Sequence, residues 1–277
     1  MTRQDCLAGL RSAGDQGRAL VVAGVGCGLT AKGAAAGGAD LLCAYNTAAY
    51  RIQGLPTAMA FLPYDDCNAL ALAIAPQVVA AAGAVPVALG LGAHDPRRDL
   101  DRLIGQARDL GCAGVTNEPF IGMYEGDLRR QMEAAGLGFG REVELIRRAR
   151  LAGMLTLAYA FTPEEAVTMA DAGADLIGAM VGGVTSGGAA GGADTIGLDQ
   201  AVLTVSAMLE ALDRAGHRLP VLAHGGPLNG VGPVRAVLER TGAAGYITGS
   251  TGERLPTLEA VRASVAAFQA IRRGARP

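Results

Sequence analysis

Several ionisable or polar residues stand where an apolar run stops, and their types suit proton transfer on a small anionic molecule. His224 follows Leu219-Pro220-Val221-Leu222-Ala223 and precedes Gly225-Gly226. An imidazole at a strand end, rather than inside it, is placed to exchange a proton near neutral pH. Glu118 sits between Asn117 and Pro119. A residue before proline is pushed extended and cannot open a helix, so its carboxylate points from a strand end as a general base or metal ligand. Lys32 is the single lysine of the chain. Arginine cannot replace lysine as a neutral amine nucleophile, so three readings stay open: a surface or ion-paired lysine, a contact to a substrate anion, or a Schiff-base amine.

Other positions fit contacts to the same molecule. Gly26, Cys27 and Gly28 come after an apolar run, and small residues there let backbone amides approach a carboxylate or phosphate. The pattern is neither a dinucleotide fingerprint nor a P-loop, so no nucleotide cofactor is expected. Tyr45, Asn46, His94, Asn117, Tyr159 and Ser250 also stand at or just beyond run ends and are the expected substrate contacts. In His94-Asp95-Pro96 the aspartate reads either as a helix N-cap with proline at N1 or as a ligand. One of Asp65 and Asp66 caps the helix after them. The glycine-rich stretch from Gly182 to Gly192 reads as a lid or an anion-binding loop.

These residues need a scaffold that brings run ends together. Eight short apolar runs recur, at 19–25, 40–45, 85–91, 113–116, 154–159, 175–181, 219–223 and 244–248. Continuous rather than alternating apolarity marks strands buried on both faces, as in parallel sheets. Between them lie amphipathic stretches such as 99–110, 139–151, 163–172 (capped by Thr162), 199–215 and 233–241. Glycine turns such as Ala172-Gly173-Ala174-Asp175 separate helix from strand. Eight strand–helix units predict a single (β/α)8 TIM barrel over residues 1–277, with its core at 18–270. An open doubly wound sheet is the rival. In the barrel, catalytic groups gather at the C-terminal ends of strands, which is where the polar residues lie.

Composition narrows the function. The 277 residues carry 24 basic and 26 acidic side chains, a formal charge of −2, with no basic run, which argues against nucleic acid as a partner. Trp is absent and aromatics are 4%, so base-stacking platforms are poorly supplied. No stretch approaches a membrane span and the N-terminus shows no apolar signal core, so no membrane association and a cytoplasmic location are expected. Five scattered cysteines without a Cys-x-x-Cys pair read as free thiols.

The runs Gly28-Leu29-Thr30-Ala31-Lys32, Gly37-Gly38-Ala39-Asp40-Leu41, Tyr45-Asn46, Leu62-Pro63-Tyr64, Gly136-Leu137-Gly138-Phe139, Tyr159-Ala160-Phe161, His224-Gly225-Gly226-Pro227 and Glu253-Arg254-Leu255-Pro256 resemble the phosphoenolpyruvate hydrolase-like TIM-barrel family. That family is similar in turn to the phosphoenolpyruvate/pyruvate superfamily. The resemblance implies a phosphoenolpyruvate/pyruvate-domain-like barrel that makes or breaks a C–C or C–P bond beside a 2-oxo acid, with Mg²⁺ as cofactor and a homo-oligomeric assembly. The substrate would be a small carboxylate passing through an enolate. Asp95 and Glu118 would hold the metal, His224 or Glu118 would move the proton, and the amides at Gly26 to Gly28 would share the enolate charge. A metal-free aldolase built on Lys32 and a non-catalytic ligand-binding barrel are the alternatives. The chain departs from the family pattern at Ala49, Asn117-Glu118-Pro119 and Met180, losing an arginine and a histidine and gaining a charge.

Overall fold

The computed structural model describes residues 1–182 and 196–272. Within them, eight parallel strands close in chain order: β1 (Leu20–Val25), β2 (Leu41–Ala44), β3 (Val87–Gly90), β4 (Gly114–Thr116), β5 (Leu155–Ala160), β6 (Leu176–Met180), β7 (Val221–His224) and β8 (Gly245–Thr248). β8 pairs back onto β1 with Val22 opposite Ile247, which rules out the open sheet. The apolar runs mark these strands to within two residues, because a strand buried on both faces leaves an uninterrupted apolar signal. The expected lid from Gly182 to Gly192 falls, beyond Gly182, outside the described residues.

The helices are α1 (Arg3–Asp15), α2 (Gly28–Ala36), α3 (Asn46–Ile52), α4 (Cys67–Ala81), α5 (Leu100–Asp109), α6 (Gly126–Ala134), α7 (Phe139–Leu151), α8 (Pro163–Asp171), α9 (Leu198–Arg214), α10 (Val231–Thr241) and α11 (Arg254–Gln269). Local chemistry sets their ends. Thr162 caps α8 by accepting from the Glu165 amide with Pro163 in the first turn, and Asp66 caps α4 by accepting from the Ala69 amide. Gly242 ends α10 in the left-handed region at φ +76°, where a side chain would be strained. Asp95 is not a helix cap: Asp99, four residues on, accepts from the Arg102 amide and opens α5.

Leu20, Val22, Leu41, Cys43, Leu155, Leu157, Leu176, Leu222 and Ile247 fill the barrel interior. Each large side chain removed from water there contributes about 1.5–3 kcal/mol. Tyr45 and Tyr159 also lie inside, fully buried. Glycine makes room for them: a Cβ at Gly24 would fall 2.0 Å from the Tyr45 hydroxyl, and one at Gly178 would fall 2.7 Å from the Tyr159 ring.

α1 closes the N-terminal end of the barrel, burying Cys6, Leu10 and Ala13 against the interior cluster. Arg3 Nε donates to Asp175 Oδ2 at 2.9 Å, and Asp175 also accepts from the Thr156 amide at 3.1 Å. Asp40 accepts from the Val21 amide at 2.9 Å. The carboxylates at this end therefore pin strands together. At the other extreme of the chain, α11 leaves Leu258, Val261, Val265 and Phe268 exposed along one side.

Candidate active site

The C-terminal ends of the strands converge on a small cleft. α3 supplies one wall. Its residues Asn46 to Arg51 are all buried, which is unusual for so short a helix, and its polar side chains Thr47 and Arg51 line the cleft. Glu118 comes from the exit of β4, His224 and Gly225 from β7, Gly249 and Ser250 from β8, and Met180 from β6. Phe61, Phe120 and Met123 form the apolar side. Phe120 packs between Phe61 and Tyr159 in tilted contacts, with ring centroids 5.4 and 5.2 Å away.

The electrostatic centre is a buried ion pair. Arg51 Nε donates to Glu253 Oε1 at 2.7 Å, and Glu253 Oε2 accepts from the Gly26 amide at 3.0 Å. Arg51 Nη2 has no partner. Glu118 lies in the same cleft, and its Oε2 is also buried without a partner, as are the hydroxyls of Tyr45, Tyr159 and Thr57. A buried polar atom left unpaired costs about 1–3 kcal/mol, so such a concentration at one end of a barrel is what a polar ligand or water would satisfy.

Burial pushes the Glu118 carboxyl up to about 7, against Arg51, Thr47 and Tyr159, which all favour its charged form. That places a proton in exchange at physiological pH. Burial acts oppositely on His224 and pushes it down to about 4. Its Nδ1 lies 2.7 Å from the Ile247 carbonyl, which can only accept; Nδ1 therefore carries the proton and Nε2 keeps a lone pair. His224 is thus a neutral hydrogen-bond acceptor, and Glu118 is the group with the proton to move.

Of the residues expected from sequence, Glu118, His224 and Ser250 line the cleft together. Ser250 Oγ accepts from Arg254 at 3.0 Å. Tyr45 and Tyr159 lie beneath, each close enough to Glu118 for their charges to interact. The others serve elsewhere. The amides of Gly26, Cys27 and Gly28 already donate to Glu253, Thr30 Oγ1 and Gln77 Oε1, so the expected anion loop is filled by the chain's own oxygens. Asn46 Nδ2 donates to the Ala60 carbonyl, and Asn117 is shared between Glu142 and the Tyr159 backbone. His94 sits outside the cleft beside Cys67 and Pro119, where burial lowers its pKa. Lys32 is exposed on α2 and does not line the cleft.

The metal expectation meets a donor set that does not fit it. Asp95 gives both carboxylate oxygens to Arg97, at 2.9 and 2.8 Å, and Glu118 shares its cleft with the Arg51 guanidinium. No group of three or more His, Cys, Asp or Glu side chains gathers among the described residues. Mg²⁺ wants several oxygen ligands in octahedral array, so no step is routed through it.

Arg51 and Glu253, 202 residues apart, are a buried pair at the cleft that the ends of the apolar runs do not mark. Neither stands at the end of an apolar run, and only closure of β8 onto β1 brings them together. Among the described residues, no helix is long and apolar enough to cross a membrane.

Comparison with known proteins gives the family and the fold. A family model described as phosphoenolpyruvate hydrolase-like matches residues 5–271. The tomato (Solanum lycopersicum) ToMV susceptible protein tm-1(GCR26) is 38% identical over 257 residues, covering 92% of this chain and 34% of that protein. The chain thus spans about a third of that relative's length. Among solved structures, 2,3-dimethylmalate lyase, a PEP mutase/isocitrate lyase superfamily member, superposes with a TM-score of 0.60 at 16% identity, covering 97% of this chain and 85% of that one. Phosphonopyruvate hydrolase in complex with oxalate and Mg²⁺ gives 0.59 at 15% identity, covering 97% and 87%. At such identities the likeness is one of fold.

Proposed function

The chain belongs to the phosphoenolpyruvate hydrolase-like family, and from that premise we propose that its cleft is the active site of a lyase or hydrolase. The reaction makes or breaks a C–C or C–P bond alpha to the carbonyl of a 2-oxo acid or related small carboxylate, through an enolate-like intermediate. One observation carries the reading: Arg51 Nη2 and Glu118 Oε2 are both buried, both unpartnered and both in one small cleft. A guanidinium N–H without a partner donates to a substrate carboxylate, and its positive charge favours the enolate that develops next to that carboxylate. Glu118, as carboxylate, takes the proton from the substrate hydroxyl or attacking water as the C–C or C–P bond breaks with its electron pair left on the enolate, and, as the acid so formed, delivers that proton to the enolate carbon. His224 Nε2 accepts a hydrogen bond from a substrate or water hydroxyl and orients it. The Phe120 side excludes water from the intermediate. Exposed Lys32 leaves the Schiff-base alternative without a nucleophile in the cleft.

The test is calorimetric binding of oxalate, which has the shape and charge of a pyruvate enolate, and turnover of a panel of 2-oxo, phosphono and 2-hydroxy acids monitored by NMR, with Mg²⁺ or with EDTA. Oxalate should bind, and Arg51→Met should weaken it at least about 100-fold, as loss of a buried charge-assisted contact implies. Glu118→Gln should bind oxalate and turn over nothing. Binding unaffected by Arg51→Met would remove this site assignment, and binding without turnover across the panel would make the barrel a ligand-sensing module instead.

A further inference from the structure

We propose that Glu142, which the reaction above does not use, is the positioning residue for Glu118: its carboxyl grips both ends of the segment Asn117–Ile121 and so fixes where the Glu118 side chain enters the cleft. The inference rests on Glu118 being the working carboxyl.

Glu142 lies in the first turn of α7 and is 1% exposed. Its Oε2 accepts from Asn117 Nδ2 and its Oε1 from the Ile121 backbone amide, each at 2.5 Å. Asn117 is itself anchored, accepting from the Tyr159 amide at 2.7 Å and donating to the Tyr159 carbonyl at 3.2 Å. Glu118, Pro119 and Phe120 are therefore held between two fixed points. Glu118 Oε2 makes no hydrogen bond, so the backbone on either side is a principal anchor of this carboxyl, beside the nearby Thr47 and Tyr159 hydroxyls. Without Glu142, the buried Ile121 N–H would lose its acceptor, which is the costly half of a broken buried hydrogen bond.

The neighbouring residue has a parallel role. Arg141 Nε donates to the Ala93 carbonyl, so one turn of α7 ties down the exits of both β3 and β4. Burial raises the Glu142 pKa and the Ile121 and Asn117 N–H groups lower it; with an N–H donor on each oxygen, the side chain grips the segment as the carboxylate. The charged groups acting on it from adjoining helices are Arg129 of α6, which favours the anion, and Glu165 of α8, which opposes it.

The experiment reads the titration of Glu118 from its side-chain carboxyl carbon by NMR, in the full chain labelled at glutamate, with E118Q for assignment. Two variants are compared, E142Q and E142D. The first offers an amide donor where an acceptor is needed, and the second keeps the charge but is one methylene too short to reach both donors. In each, the loosened segment admits water, and the Glu118 midpoint should fall by about one pH unit or more towards the ordinary carboxyl value. An unchanged midpoint in both folded variants overturns the proposal. So does a shift in E142Q alone, which would show that charge, not position, is what Glu142 supplies. If neither variant folds, the wild type still decides, since its Ile121 amide should exchange with solvent at least about 100-fold more slowly than an unprotected one. Exchange at the unprotected rate overturns the proposal. No arm uses a substrate, so a failed turnover assay and a failed positioning role are read separately.

Discussion

Arg51 Nε donates to Glu253 Oε1 at 2.7 Å inside the barrel mouth, with the two side chains 4% and 0% exposed. The bond joins α3 to the start of α11 and occupies one edge of the guanidinium while Nη2 stays buried without a partner. Removing one partner would strand a buried charge. Arg51→Met should therefore cost about 3–5 kcal/mol in urea unfolding at neutral pH. A loss below about 1 kcal/mol would mean that Glu253 finds another partner or takes up a proton.

The Glu118 carboxyl gives stability a definite pH dependence. Its folded pKa is raised to about 7 from 4.5, so the folded state holds a proton that the unfolded chain releases, and its contribution is full below pH 4.5 and lost as pH rises through 7. Glu118→Gln removes that titration. Relative to wild type, the variant should gain about 3 kcal/mol between pH 4 and pH 8, from the 1.36 kcal/mol carried by each pKa unit. An equal stability difference at both pH values would contradict the raised pKa.

His224 should remain neutral down to about pH 4 with its proton on Nδ1. Two-dimensional ¹⁵N NMR of the ring distinguishes the two tautomers and tracks the titration. A midpoint near 6.5, or a proton on Nε2, would take away its role as an acceptor in the cleft.

Lys32 should be dispensable. Borohydride reduction in the presence of pyruvate should leave the protein mass unchanged, and Lys32→Arg should alter stability by no more than about 0.5 kcal/mol, as for most surface substitutions. An adduct on this lysine would revive the aldolase alternative that its exposure on α2 argues against.

We propose that the expected homo-oligomer forms through α11, where Leu258, Val261, Val265 and Phe268 repeat at helical spacing and are 57%, 59%, 61% and 72% exposed. Light scattering at tens of micromolar should show a dimer or larger species, and the double variant V265E/F268E should be monomeric. A monomeric wild type, or an assembly indifferent to those charges, would contradict it.

The amino-acid sequence by itself determined the barrel. A strand buried on both faces writes a continuous apolar run, and a capped amphipathic helix writes a period and a start residue; both signals are local, so run after run is legible without knowing what packs against it. The same locality picked out Glu118 and His224, since a polar residue at the close of an apolar run stands at the catalytic end of a strand. It failed where a residue's partner lies far along the chain. Whether Gly26 offers its amide to a ligand depends on Glu253, and whether Asn117 faces substrate or scaffold depends on Glu142. The tertiary structure alone decided these, because closure of the barrel brings distant polar groups within hydrogen-bond reach, and an amide or carboxamide satisfied by the chain's own oxygens is no longer free for a ligand.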